Sequence, residues 1–215
     1  MRQKVDTDRG LLVIEYDGAL VDAVGHALGD LKSQRFKVLK NAVNATARQA
    51  RKDLVSEAAS VYTEKKAKIN KTTKVKAATN AKPEATVNVK GPVQSLKEFK
   101  TSVSISGVKA KILQASVMKV IQSSRGRAAA FPVKFESGHE DIAQRQIGEF
   151  YSRGAKARRD KWGPHADMTA IKTLFTNSTP KMLGGQKVFG VVEERIYENL
   201  MDNILAQIRK VVEKQ

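Results

Sequence analysis

The sequence predicts an α+β protein in which a long N-terminal amphipathic basic helix and a C-terminal helix pack on an antiparallel β-sheet. Three observations predict it. Residues 35–76 contain no Gly or Pro and carry apolar side chains at three- and four-residue steps. After Pro83 the pattern changes to alternation, and from Val188 it returns to helical spacing. One domain over residues 1–215 is expected, read as an N-terminal strand or arm (1–18), a helical region (19–82), a β-sheet region (83–136), a basic loop (137–178) and a C-terminal helix (179–215).

The elements follow in order. Residues 11–16 form a short apolar run that reads as a strand, ending in a turn at Asp17-Gly18. From Ala19 the recurrence of Leu20, Val24, Ala27 or Leu28, and Leu31 is helical, although Gly25 and Gly29 each weaken a helix by about 1 kcal/mol against Ala. The strongest signal is the next one. Phe36, Leu39, Val43, Ala47, Ala50, Leu54, Ala58 and Val61 lie on one stripe, and Lys37, Lys40, Arg48, Arg51 and Lys52 lie largely off it. A helix of some seven turns with so narrow and Ala-rich a face suits close packing against another helix or another subunit.

Alternation of Ala85, Val87 and Val89 with polar residues, then of Val103, Ile105 and Val108 around Gly107, predicts strands joined by short turns. Phe131, Val133 and Phe135 supply a further strand, and residues 112–122 fit either a strand or a short helix. Residues 138–167 are polar and punctuated by four glycines, which predicts a loop. In the last segment Val188, Val191 or Val192, Ile196, Leu200, Ile204, Leu205, Ile208, Val211 and Val212 form a broad apolar face, with Lys210 and Lys214 suited to the helix dipole. Leu39, Val43, Ala47, Ala50, Leu54, Met182, Leu183, Ile196, Leu200 and Ile204 are the expected packing or interface residues, with the Ala-rich face and the sheet edges open to neighbouring subunits.

Charge narrows the function classes. Thirty-nine Lys and Arg against 22 Asp and Glu give a formal net charge of +17, a field that favours polyanions or acidic partners. Residues 35–76 hold twelve Lys and Arg against Asp53, Glu57 and Glu64, about half of the excess. The densest part carries Lys65, Lys66, Lys68, Lys71, Lys74 and Lys76, and a second cluster carries Arg153, Lys156, Arg158, Arg159 and Lys161. Such lysines neutralise phosphates without reading sequence. Only Tyr62 lies near them, so the stacking platforms of single-strand and RNA readers are missing. A solvated charged face accounts for the same residues without a ligand.

Enzyme chemistry finds little support. The chain has no cysteine, which removes disulfides, thiolate metal sites and cysteine nucleophiles together. His26, His139 and His165 show no metal-ligand spacing, and His139-Glu140-Asp141 sits in a predicted loop. Ser116-Val117-Met118-Lys119 matches a Ser-x-x-Lys pattern but lacks the companion motifs. No catalytic, cofactor or metal residue is expected. Neither a signal core nor an apolar run of membrane-spanning length occurs, so a soluble protein without membrane partners is expected.

The succession of segments is itself informative. The Ala-rich helix runs into Thr63-Glu64-Lys65-Lys66-Ala67-Lys68-Ile69-Asn70-Lys71, followed by Val75-Lys76-Ala77-Ala78 and Ala85-Thr86-Val87-Asn88-Val89-Lys90-Gly91. Val93-Gln94-Ser95-Leu96-Lys97-Glu98-Phe99, Lys109-Ala110-Lys111-Ile112, Ala130-Phe131-Pro132-Val133, Ser137-Gly138-His139 and Ser178-Thr179-Pro180-Lys181-Met182-Leu183-Gly184 come next. This order resembles the minor tail protein Z family of lambda-like tailed phages and prophages, also called tail completion or neck proteins, over roughly residues 19–213. Its most specific piece is residues 179–184, similar to the family's Pro-x-Met-Leu segment ahead of the C-terminal helix. The strand at 11–16 and the basic cluster at 153–161 stand outside the resemblance.

The resemblance implies a non-enzymatic virion protein at the head-proximal end of the tail, present in the host cytoplasm during assembly. It implies rings matching tail symmetry, with six subunits, and neighbours such as the terminator, the tube and the head–tail connector. Genomic DNA is an open further partner. The rival expectation from charge alone is a nucleoid-type non-specific DNA-binding protein.

Overall fold

The structure, a computed structural model, describes residues 3–6, 11–80, 82–105, 107–124, 126–150, 160–161, 163 and 168–214, without the side chains of residues 3–6 and 11. The fold is α+β, with a long N-terminal helix, a C-terminal helix and antiparallel sheets. Where the sequence led to one domain, the chain forms two compact units. The first comprises residues 1–61, 65–92 and 177–215, and the second residues 62–64 and 93–176.

In the first unit, β1 (Gln3–Asp6) and β2 (Leu11–Glu15) pair antiparallel, and β3 (Thr73–Lys76) and β4 (Glu84–Val89) complete a sheet of order β1-β2-β4-β3. Asp17 does not make the expected turn. Its side chain accepts from the Leu20 amide at 3.0 Å, so it caps α1 (Gly18–Leu28). Gly29 then closes α1 at φ +54, a left-handed conformation that favours glycine, and a 3-10 turn (Gly29–Gln34) leads into α2.

α2 (Arg35–Val61) is the long helix that the unbroken apolar spacing predicts. It buries Val38, Leu39, Ala42, Val43, Thr46, Ala47, Ala50, Leu54, Val55 and Ala58, a wider arc than the single stripe in the sequence. That width reflects two kinds of neighbour, since α2 packs against β2, β3 and β4 and also against α5 (Phe189–Val212). Small residues let α5 approach, and Thr46 marks the contact. Its hydroxyl donates to the Ala42 carbonyl at 3.0 Å and accepts from Asn203 Nδ2 at 3.0 Å. The Ala-rich face is therefore filled from within the chain, not left open for a neighbouring subunit.

The helical signal beyond Val61 resolves differently from the expectation. α3 (Lys66–Thr72) is a separate short helix, and Thr73–Lys76 is strand β3 inside the region read as helical. Asn44 of α2 secures the chain just after it, donating to the Ala78 carbonyl at 3.2 Å and accepting its amide at 2.7 Å. The C-terminal region is two helices. α4 (Thr179–Leu183), with Pro180 in its first turn, buries Met182 and Leu183. α5 buries Phe189, Val192, Ile196, Leu200 and Ile204, while Val191, Leu205 and Val212 of the expected broad face are exposed.

The second unit is made of small sheets: β6 (Lys100–Ser104), β7 (Gly107–Lys111) and β8 (Lys119–Val120); β9 (Phe131–Lys134), β10 (Glu140–Phe150) and β11 (Thr169–Thr173); and β5 (Val93–Ser95) paired with β12 (Phe175–Ser178), whose last two residues belong to the first unit. Leu96, Val108, Ala130 and Ile142 form its core, with Ala110, Ile121 and Leu174 against it. The expected loop at 137–178 is thus corrected, because three strands lie within it. β10 escaped the alternation test for a physical reason. Asp141, Ile142, Ala143 and Gln144 are all buried, so both faces are covered and two of the inward positions are polar.

Candidate polyanion-contact surface

Among the residues singled out for polyanion contact, the structure brings six together on one supersecondary piece. α3 and β3 run consecutively, anchored by Ile69, whose side chain is fully buried. Two threonine hydroxyls, of Thr72 and Thr73, donate to the Ile69 carbonyl at 2.9 Å each. Arg51 reaches over from α2 and donates to the carbonyls of Thr73 at 2.7 Å and Asn70 at 3.0 Å. Asn70 lies in the last turn of α3 and Thr73 just past it, at the C-terminal end of the helix where a cation is electrostatically favoured. Arg51 is therefore a structural cation, unlike its neighbours in sequence.

On this platform Lys65, Lys66, Lys71, Lys74 and Lys76 are exposed and Lys68 is half-buried. Lys74 and Lys76 are two residues apart on a strand, so they leave β3 on the same face. β3 ends the four-stranded sheet, so its outer backbone edge is unpaired within that sheet. Lysines there also keep a second strand from adding to the edge. Among the described residues, no ion pair engages Lys65, Lys66, Lys71, Lys74 or Lys76.

A cleft of about 470 Å³ lies where α3 folds back against α2, lined by Lys52, Asp53, Val55, Ser56, Lys66, Ala67 and Asn70. Lys66 Nζ stands 3.5 Å from Ser56 Oγ at this cleft. Lys52 is the residue that sequence reasoning did not join to the patch. Read as one uninterrupted helix, Lys52 and Lys66 are nearly four turns apart, and only the reversal after Val61 brings them to one cleft.

The second basic cluster behaves differently. Arg153, Lys156, Arg158 and Arg159 lie outside the described residues. Lys161 is described, and its ammonium sits 2.6 Å from Glu136 Oε1 on an exposed surface. The ten packing residues, Leu39, Val43, Ala47, Ala50, Leu54, Met182, Leu183, Ile196, Leu200 and Ile204, are all buried in the first unit.

The polar residues weighed for chemistry also find places. Asp141, almost fully buried, accepts from the Ser95 hydroxyl and from the Ile142 amide at 2.8 Å, and His139 Nε2 lies 3.4 Å away. The order is serine–aspartate–histidine, so the imidazole does not contact the hydroxyl and cannot take its proton directly. Ser116 donates to the Leu113 carbonyl at 2.8 Å, closing a turn. Among the described residues no three His, Asp or Glu side chains are grouped to hold a metal, and no helix is long and apolar enough to cross a membrane.

Comparison with known protein families, curated proteins and solved structures finds no match to this chain.

Proposed function

We propose that this chain is a structural virion protein of a tailed phage, completing the head-proximal end of the tail and helping to join it to the head. The observation that carries the reading is the row of exposed lysines along α3 and β3, without ion-pair partners among the described residues, on a chain whose order of segments resembles the minor tail protein Z family. Exposed lysines on a helix–strand platform offer a sequence-independent anion surface, suited to acidic neighbours in the neck or to the backbone of the DNA end. Assembly into a ring of six on the tail follows from the same resemblance, with the terminator, tube and connector as neighbours. The reading includes no catalytic step.

Two measurements test it together. Immunolabelling of purified tailed particles is expected to place the chain at the neck, and duplex DNA titrated with the free chain at physiological salt is expected to bind weakly. Absence from particles overturns the tail reading. Tight duplex binding by the free protein, falling steeply with salt, supports the nucleoid-type alternative instead.

A further inference from the structure

α5 carries a second apolar face that its own unit does not cover. Tyr197, Met201, Leu205 and Val212 are 40–55% exposed, and Ile208 is half-buried. At 3.6 residues per turn these five fall within an arc of about 80°, a continuous stripe roughly 22 Å long. Soluble monomers seldom leave so extended an apolar strip bare. The stripe adjoins the buried line Ile196, Leu200 and Ile204, so it is the outward continuation of the core face.

The charges beside the stripe specify what covers it. Glu198 and Arg209 stand on the same edge of α5, within about 20° of each other around the axis. Two copies of α5 packed antiparallel about a twofold axis bring each edge of the stripe against the same edge of the partner. An axis level with the midpoint between residues 203 and 204 sets Glu198 level with Arg209 of the other copy and Met201 within about 1.5 Å, along the helix, of the level of its Leu205. Both contacts occur twice, as an isologous interface requires. Asp202 stands farther round, about 100° from the centre of the stripe, clear of its symmetry mate. A parallel pair would set the Glu198 and Arg209 edges on opposite sides of the seam, with the two residues about 16 Å apart along it and unable to match, and would leave the helix dipoles aligned, which is unfavourable.

We infer that the free chain pairs with a second copy of itself through α5, antiparallel, burying Tyr197, Met201, Leu205, Ile208 and Val212 and matching Glu198 with Arg209. The inference goes beyond the tail reading and stands apart from it. A tail has a single direction along its axis, so this twofold pair is a form of the protein outside the assembly.

A helix pair of this length lies at the small end of specific interfaces, so the association is readily reversible. Sedimentation velocity of the full chain from about 1 to about 200 μM is expected to move from one copy to two. Met201→Glu or Leu205→Glu, both at exposed positions, should weaken pairing at least tenfold without changing the circular dichroism or Tm. Glu198→Arg should weaken it too, and adding Arg209→Glu to that variant should restore it. The chain has no cysteine, so mixed Glu198→Cys and Arg209→Cys variants can be oxidised cleanly, and mixed disulfides should exceed self-linked ones. A single copy at every concentration, pairing indifferent to Met201→Glu, or a preponderance of self-linked disulfides each overturns the inference.

Discussion

The two units are built on opposite balances of apolar and polar burial. In the first, α2 and α5 fill the interior with aliphatic side chains, and Leu39, Val43, Ile196 and Leu200 are fully enclosed. In the second, a small cluster of Leu96, Val108, Ala130 and Ile142 is joined in the interior by Tyr62, Phe99 and Ala143, and Gln94, Asp141, Gln144 and Gln146 are buried as well. Hydrophobic burial is non-directional and tolerates small shifts, whereas a buried polar group must keep its partner. The first unit is accordingly sensitive to lost volume and the second to lost hydrogen bonds.

Truncation in the first core is the largest expected effect. Leu200→Ala leaves a cavity facing α2 and should cost about 2–5 kcal/mol, read as a fall in the urea midpoint of the full chain. A loss under about 1 kcal/mol would mean that this interior collapses around the gap, and the contrast between the units would fade.

Asp141→Ala in the second unit removes the acceptor of both the Ser95 hydroxyl and the Ile142 amide. Without a replacement partner the expected cost is about 1–3 kcal/mol. Hydrogen exchange at the β10 amides should localise it there, and exchange that accelerates equally in α2 would contradict the division. Thr46→Val is the counterpart test inside the apolar unit. It conserves shape but deprives Asn203 of its acceptor, at roughly 1 kcal/mol by the same denaturation assay.

The smallest effect concerns pH. Lys97, 2.9 Å from Glu140 and assisted by Lys134, holds the Glu140 carboxyl below its ordinary value. A depressed folded value means that the pair adds stability above the usual carboxylate range and loses it as pH falls through the lowered value. Both groups are exposed, so Lys97→Met should blunt the acid limb of a stability–pH curve only slightly. An unchanged curve would leave the second unit without any measurable surface ion-pair contribution at that site.

Sequence legibility follows the same division. α2 and α5 were readable because their inward positions are apolar at helical steps, and β4 because Val87 and Val89 alternate with polar residues. β10 was not, since its inward positions include Asp141 and Gln144, whose burial depends on partners far along the chain. The candidate surface was legible in its lysines but not in its shape. Nothing local at residues 61–65 announces the reversal that brings Lys52 beside Lys66, nor that Arg51, one residue away, is committed to the carbonyls of Asn70 and Thr73. The exposed half of α5 belongs, in sequence, to one broad apolar face with the buried half, because periodicity marks an apolar face without telling which molecule covers it.

The first unit is discontinuous, with residues 93–176 lying between its early and late segments. During synthesis α2 and the four strands leave the ribosome first, and the whole second unit follows. Only then does α5 emerge. Until that moment the small-residue face around Ala47 and Ala50 lacks its covering helix, so the nascent chain carries an uncovered apolar strip while residues 93–176 are made. That face of α2 is completed only when residues 189–212 arrive, after the whole second unit has been made.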